Sequence, residues 1–157
     1  MSSIIDCIDG SWDPSSGRYL TTRIEQDDWK GKRANRDEVR KTFGLAVSRG
    51  PLFAIVSRLV HQKGIDLSLQ AAETIVAGGG QLVVIGQGEG RFEQALQGLA
   101  KRQPDAVGVH VGFEEAQARR MFAGSDFLLM PSRFEPCGLA QMYAQRFGSL
   151  PIARRTG

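Results

Sequence analysis

Cysteine and histidine are scarce, with two of each in 157 residues. Cys7 and Cys137 lie near opposite ends of the chain, and neither falls at a metal-ligand spacing with His61 or His110. So few thiols exclude a disulfide scaffold and fit a reducing compartment. Long apolar runs are missing too. Stretches such as Phe127-Leu128-Leu129-Met130-Pro131 fall far short of the ~20 residues a membrane helix needs. Met1-Ser2-Ser3 leads into an acidic stretch rather than a cleavable leader, so a cytoplasmic chain without a membrane partner is expected. No five basic residues run together, and basic residues are not interleaved with aromatics, which argues against nucleic acid. Asp-x-Asp does not occur, so a metal bridging a diphosphate has no evident ligand pair; neither a metal nor another cofactor is expected.

What the chain does contain is ordinary globular material, 41% apolar and 24% charged. Glycine is abundant, 19 of 157 residues, against a usual ~7%. These glycines close apolar runs instead of repeating, so they read as turn punctuation. Net charge is +3, and arginine supplies 15 of the 20 cations. Its planar fork suits phosphate and carboxylate groups.

Two textures divide the sequence. Residues 1–50 are polar and broken by Pro14 and Gly17; they read as an entry segment or linker holding one short helix, Asn35 to Phe43. Asn35 is placed to cap it, with Val39 and Phe43 on one face. Residues 51–157 read as a domain of five short runs, apolar on both faces: Leu52–Val56, Gln81–Ile85, Val107–Val111, Asp126–Met130 and Leu150–Ala153. Between them lie stretches of helical period, such as Ile65, Leu69, Ala72 and Val76. Strands buried on both faces and alternating with helices predict a doubly wound, Rossmann-like α/β fold with a parallel sheet, ordered 3-2-1-4-5. Pro151 is a mild objection to the fifth strand and fits best at its first residues. A fold of this kind ordinarily continues past its fifth strand, so the sequence reads as part of something longer.

Ligands of such folds bind beyond the carboxyl ends of the strands where strand order reverses, here between the first and fourth. The loop after the first run, Ser57-Arg58-Leu59-Val60-His61-Gln62-Lys63-Gly64, carries two cations into a helix N-terminus. Its reading is an anion site, or two solvated surface charges. After the fourth comes Pro131-Ser132-Arg133-Phe134-Glu135-Pro136-Cys137-Gly138-Leu139. There Glu135 either accepts hydroxyl hydrogen bonds or caps the next helix, and Gly138 permits close approach to backbone amides. Cations facing a carboxylate suit a ligand with both phosphates and hydroxyls, a nucleotide sugar. Phe113, after the third run, either stacks on a base or packs its loop. Gly86-Gln87-Gly88-Glu89-Gly90 imitates a dinucleotide fingerprint, but its third glycine would fall at Arg91 and it follows the wrong strand.

The two loops closely resemble those of bacterial glycogen synthases and plant starch synthases. The resemblance is carried by Ser57-Arg58-Leu59 with Gln62-Lys63-Gly64, by Pro131 through Leu139 with Gln141, and by Leu150-Pro151-Ile152 with Arg154-Arg155-Thr156-Gly157. Ile8-Asp9 and Trp12-Asp13-Pro14 resemble the entry to that family's C-terminal domain. The resemblance implies the donor half of a two-domain GT-B enzyme, a retaining glucosyltransferase moving glucose from ADP-glucose to an α-1,4-glucan held by the other domain. Arg58 and Lys63 then hold the diphosphate, Glu135 the sugar hydroxyls, and the amides of Cys137, Gly138 and Leu139 the sugar and phosphate. Phe113 lies against adenine, and Gln62 counts with the substrate-binding residues. Ala140 stands where threonine is common in the family, and Tyr143 where related transferases carry a second glutamate. A related transferase using UDP-glucose and a non-catalytic nucleotide-binding fragment are the competing readings.

Overall fold

The computed structural model describes residues 14–16, 19–20, 22–24, 29–133 and 139–154. Five strands, β1 (Leu52–Val56), β2 (Gln81–Gly86), β3 (Val107–Val111), β4 (Phe127–Met130) and β5 (Leu150–Ala153), form one sheet. Every pairing is parallel and the order is β3-β2-β1-β4-β5. Strands and order both match the sequence reading. Five helices accompany them: α1 (Trp29–Thr42), α2 (Ile65–Ala77), α3 (Gly90–Arg102), α4 (Glu115–Gly124) and α5 (Leu139–Arg146).

Strand alternation divides the core in two. Leu52, Ala54, Val83, Ile85 and Leu128 pack with Val39, Met121, Phe122, Ala144 and Phe147, on the face covered by α1, α4 and α5. Ile55, Leu82, Val84 and Leu129 point the other way, onto Ile65, Ala72, Phe92, Leu96 and Leu99 of α2 and α3. Helices on both faces leave β1, β2 and β4 without a wet side, which is why these strands read as unbroken apolar runs. Pro151 pairs with Leu128 on the β5 edge, where a missing N–H costs no ladder bond on the outer side.

The first helix departs from expectation. It begins at Trp29, six residues before the expected cap, and ends at Thr42. Asn35 lies inside it, 2% exposed, and donates from Nδ2 to the carbonyls of Gly31 and Thr22. The reason is chemical. Apart from Gly31 and Val39, the buried face of α1 is built from Lys32, Asn35 and Arg40, polar side chains that a hydrophobic pattern does not register. Arg40 donates to Gln81 Oε1 and the Gly50 carbonyl, and Arg36 pairs with Asp126 at 3.1 Å. Where α1 crosses α4, a Cβ on Gly124 would stand 2.7 Å from Val39 and 2.8 Å from the Asn35 carbonyl, so that contact admits glycine alone.

Lys32 completes this attachment. Its Nζ donates to the carbonyls of Phe122 and Phe147, near the C-terminal ends of α4 and α5, at 3.1 and 2.9 Å, where a cation also meets the helix dipoles. Burial lowers its pKa from 10.5 to about 7, with Asp126 opposing and Arg36 assisting that shift. Between those two pH values the unfolded chain binds more protons than the folded one, so this group makes stability rise with pH. The slope reaches at most about 1.4 kcal/mol per pH unit. Urea titrations at pH 7 and 9.5 are expected to show the increase in the parent and not in Lys32→Met; equal increments in both would contradict it.

Candidate functional site

Because α2 and α3 cover one face and α4 and α5 the other, the connections leaving β1 and β4 diverge to opposite sides of the sheet. A cavity of about 190 Å³ opens there, lined by Val56, Ser57, Arg58, Lys63, Leu129, Met130, Ser132 and Ala140. It is smaller than the ~300–1,000 Å³ of pockets that enclose a whole ligand, and has room for a charged group of about diphosphate size. Arg58 and Lys63 both reach it, and none of the described residues lining it is acidic. Arg58 is exposed and has no ion-pair partner among the described residues, while Lys63 is half-buried.

Local geometry explains how one loop delivers both cations. After β1 the chain forms a parallel bridge between Leu59 and Gly88, then a 3-10 turn at His61–Lys63 that ends on Gly64 with φ +69°. Left-handed backbone is open to glycine at no steric cost, and Gly64 lies so close to the next loop that a Cβ would stand 2.0 Å from the Pro131 carbonyl oxygen. The turn is therefore pressed directly against the chain leaving β4.

A second contact fixes the same junction. Arg133 donates from Nη1 to Asp66 Oδ1 at 2.8 Å and from Nη2 to Oδ2 at 2.7 Å. Its Nη1 also reaches the His61 carbonyl, and its backbone N–H donates to the Gln62 carbonyl, each at 2.8 Å. Hydrogen bonding from Arg133 holds the Asp66 carboxyl at a pKa of about 2, below its usual 3.8, helped by the amides of Leu67 and Asp66. The depressed pKa also carries a sign. The ion pair is fully formed above about pH 4 and is lost as acidification proceeds toward pH 2.

The glycine-rich loop after β2 braces the site instead of binding in it. Leu59 N–H donates to the Gln87 carbonyl, Glu89 N–H to the Leu59 carbonyl, and His61 N–H to Glu89 Oε2. The Gly88 amide is held by Glu93 Oε1. These amides are committed within the protein, which gives the false fingerprint a structural purpose.

Other expected site residues are distributed as follows. Gln62 sits in the 3-10 turn beside Lys63, its carbonyl holding Arg133. Phe113 is 64% exposed beyond β3 and does not line the cavity. Ala140 does line it, whereas Tyr143, partly buried, tilts against Phe122 at 6.5 Å and packs against the core. Glu135, Cys137 and Gly138 lie outside the described residues, and Leu139 is described only as the start of α5. Among the described residues, no three His, Cys, Asp or Glu side chains cluster to hold a metal ion, and no helix is long and apolar enough to cross a membrane. Sequence reasoning missed Asp66 and Glu89. An acidic residue in the first turn of a helix was the available signal for Asp66, but nothing local identified its partner.

A larger groove of about 750 Å³ lies at the opposite ends of the strands, between Trp29, Arg33, Arg36, Arg49, Phe127 and Leu150. Ligands of doubly wound sheets bind at the carboxyl ends, so the smaller cavity, where the strand order reverses, is the candidate site.

Comparison with known proteins identifies the family. Residues 36–157 match the family described as glycosyl transferases group 1. Glycogen synthase 1 of Bradyrhizobium diazoefficiens is 64% identical over all 157 residues, which make up 34% of that protein. Glycogen synthase of Xanthomonas campestris pv. campestris is 60% identical over the same span, 33% of its length. The chain thus spans about a third of these relatives. Among solved structures, the catalytic domain of starch synthase IV from Arabidopsis thaliana, bound to ADP and acarbose, superposes with a TM-score of 0.87. Identity there is 38%, covering 94% of this chain and 31% of that one. The chain belongs to the group 1 glycosyltransferases, and along its whole length it is similar to bacterial glycogen synthases.

Proposed function

We propose that this chain is the donor-binding part of a glycogen synthase, a retaining hexosyltransferase that takes glucose from ADP-glucose and adds it to the non-reducing end of an α-1,4-glucan. The observation that carries the reading is the convergence of Arg58 and Lys63 on one small cavity at the β1–β4 reversal. In the reaction, the bond between glucose C1 and the diphosphate oxygen breaks and the oxygen departs with the electron pair. Arg58 and Lys63 take up that charge while an oxocarbenium-like centre forms beside them, in a geometry set before the reaction begins. Glu135 holds sugar hydroxyls, the amides of Cys137, Gly138 and Leu139 lie along sugar and phosphate, Gln62 contributes to substrate binding, and Phe113 stacks on adenine. The glucan is held by the remainder of a longer protein, and the setting is cytoplasmic.

Support for adenine over uracil comes from the ADP in the starch synthase at 38% identity. Calorimetric titration of the chain is expected to give ADP at least tenfold tighter binding than UDP. Equal or tighter UDP binding would overturn the donor assignment. The isolated chain is expected to transfer no measurable glucose to glycogen, and radiolabelled transfer by the purified chain would contradict that division of labour.

A further inference from the structure

We propose that Asp66 and Arg133 are positioning residues for the donor cavity: their two-pronged ion pair fixes the loop carrying Lys63 against the loop carrying Ser132, and so sets the gap a diphosphate must enter. The inference rests on the donor-site reading above. Neither residue lines the cavity, so whatever they do for a ligand they do through others.

The geometry is unusually direct. Arg133 reaches three consecutive features of one turn and the helix that follows: the His61 carbonyl, the Gln62 carbonyl and the Asp66 carboxylate. His61 and Gln62 are the first two residues of the 3-10 turn whose third is Lys63. Ser132, buried on the cavity wall, immediately precedes Arg133. The pair thus joins a residue next to one wall to the backbone that aims a cation from the other. Two parallel N–H···O bonds constrain direction as well as distance, which a single lysine contact does not. Gly64, in van der Waals reach of Pro131, lets the two loops approach closely enough for the fork to close.

Three variants of the chain test this by calorimetry with ADP, at a temperature where each is folded. Asp66→Asn and Arg133→Lys are expected to bind ADP about tenfold more weakly, and Asp66→Glu, which keeps a carboxylate, to stay within threefold of the parent. Backbone amide exchange at Arg133, whose N–H is held by Gln62, is expected to speed up in the two weakened variants and not in Asp66→Glu. A purely structural pair would lower the melting temperature and leave ADP affinity unchanged, and that result would overturn the proposal. So would Asp66→Glu binding as weakly as Asp66→Asn. If Arg133→Lys fails to fold, the nearly isosteric Asp66→Asn carries the test. If the parent itself does not bind ADP, the donor reading fails; the exchange measurement then decides the pair alone, and unchanged exchange in Asp66→Asn overturns it.

Discussion

Alanine at both Arg58 and Lys63 is expected to weaken ADP binding by a factor of a hundred or more without lowering the melting temperature appreciably. Each cation offers charge-assisted hydrogen bonds to a diphosphate, worth about 1.5–3 kcal/mol apiece. Together they account for roughly two to four powers of ten in affinity. Folding needs them little, because Arg58 is exposed and the cavity they share is at the surface. Single variants fall between parent and double variant, and Arg58→Lys retains charge while losing the planar fork. In a complete enzyme the loss of either cation is expected to cost about 3 kcal/mol in the barrier to glucosyl transfer. Calorimetry alongside thermal unfolding separates the effects. A double variant that binds ADP as the parent does would remove the electrostatic basis of the site.

The largest effect on stability is expected at Gly64. Valine there must adopt a φ of +69° and place its Cβ 2.0 Å from the Pro131 carbonyl oxygen. The backbone conformation alone costs about 1–3 kcal/mol in a residue with a side chain. Relieving the clash requires the two loops to part, adding about 1–3 kcal/mol of strain and lost packing. A total near 4 kcal/mol corresponds to a fall of roughly 10 °C in a chain of this size. Gly90 supplies the control. It begins α3, a Cβ there meets nothing within 4 Å, and its φ is not positive. Gly90→Ala is expected to leave the melting temperature unchanged or slightly raised. If Gly64→Val melted within two degrees of the parent, the close loop contact would be refuted.

The sheet was readable because its central strands are buried on both faces. Leu52–Val56 and Gln81–Ile85 have no polar alternation to confuse with a helix, and the helical stretches between them are long and periodic. Arg58 and Lys63 were legible for a different reason: strand order alone places the loop after β1 at the reversal point, whatever its side chains do. What escaped is what depends on tertiary partners. The N-terminal turns of α1 are buried through Lys32 and Asn35, whose hydrogen bonds outside the helix go to Phe122 and Phe147, far along the chain, and to Thr22 in the segment before it. Asp66 and Arg133 are 67 positions apart, and neither stands out by composition. The spacing of the glycine-rich loop after β2 argues against a ligand site, but its bracing contacts, the Gly88 amide on Glu93 and the Glu89 amide on the Leu59 carbonyl, have no sequence signal. Polar side chains on a buried face leave no periodic signature, so they become visible only once the elements are assembled.

A structure of the chain with ADP bound is the most direct measurement of where the nucleotide sits. The account predicts diphosphate oxygens within hydrogen-bonding distance of the Arg58 guanidinium and the Lys63 ammonium, at the carboxyl ends of β1 and β4. ADP lodged instead in the groove between Trp29, Arg33 and Arg49, or anywhere that leaves both cations untouched, would contradict it.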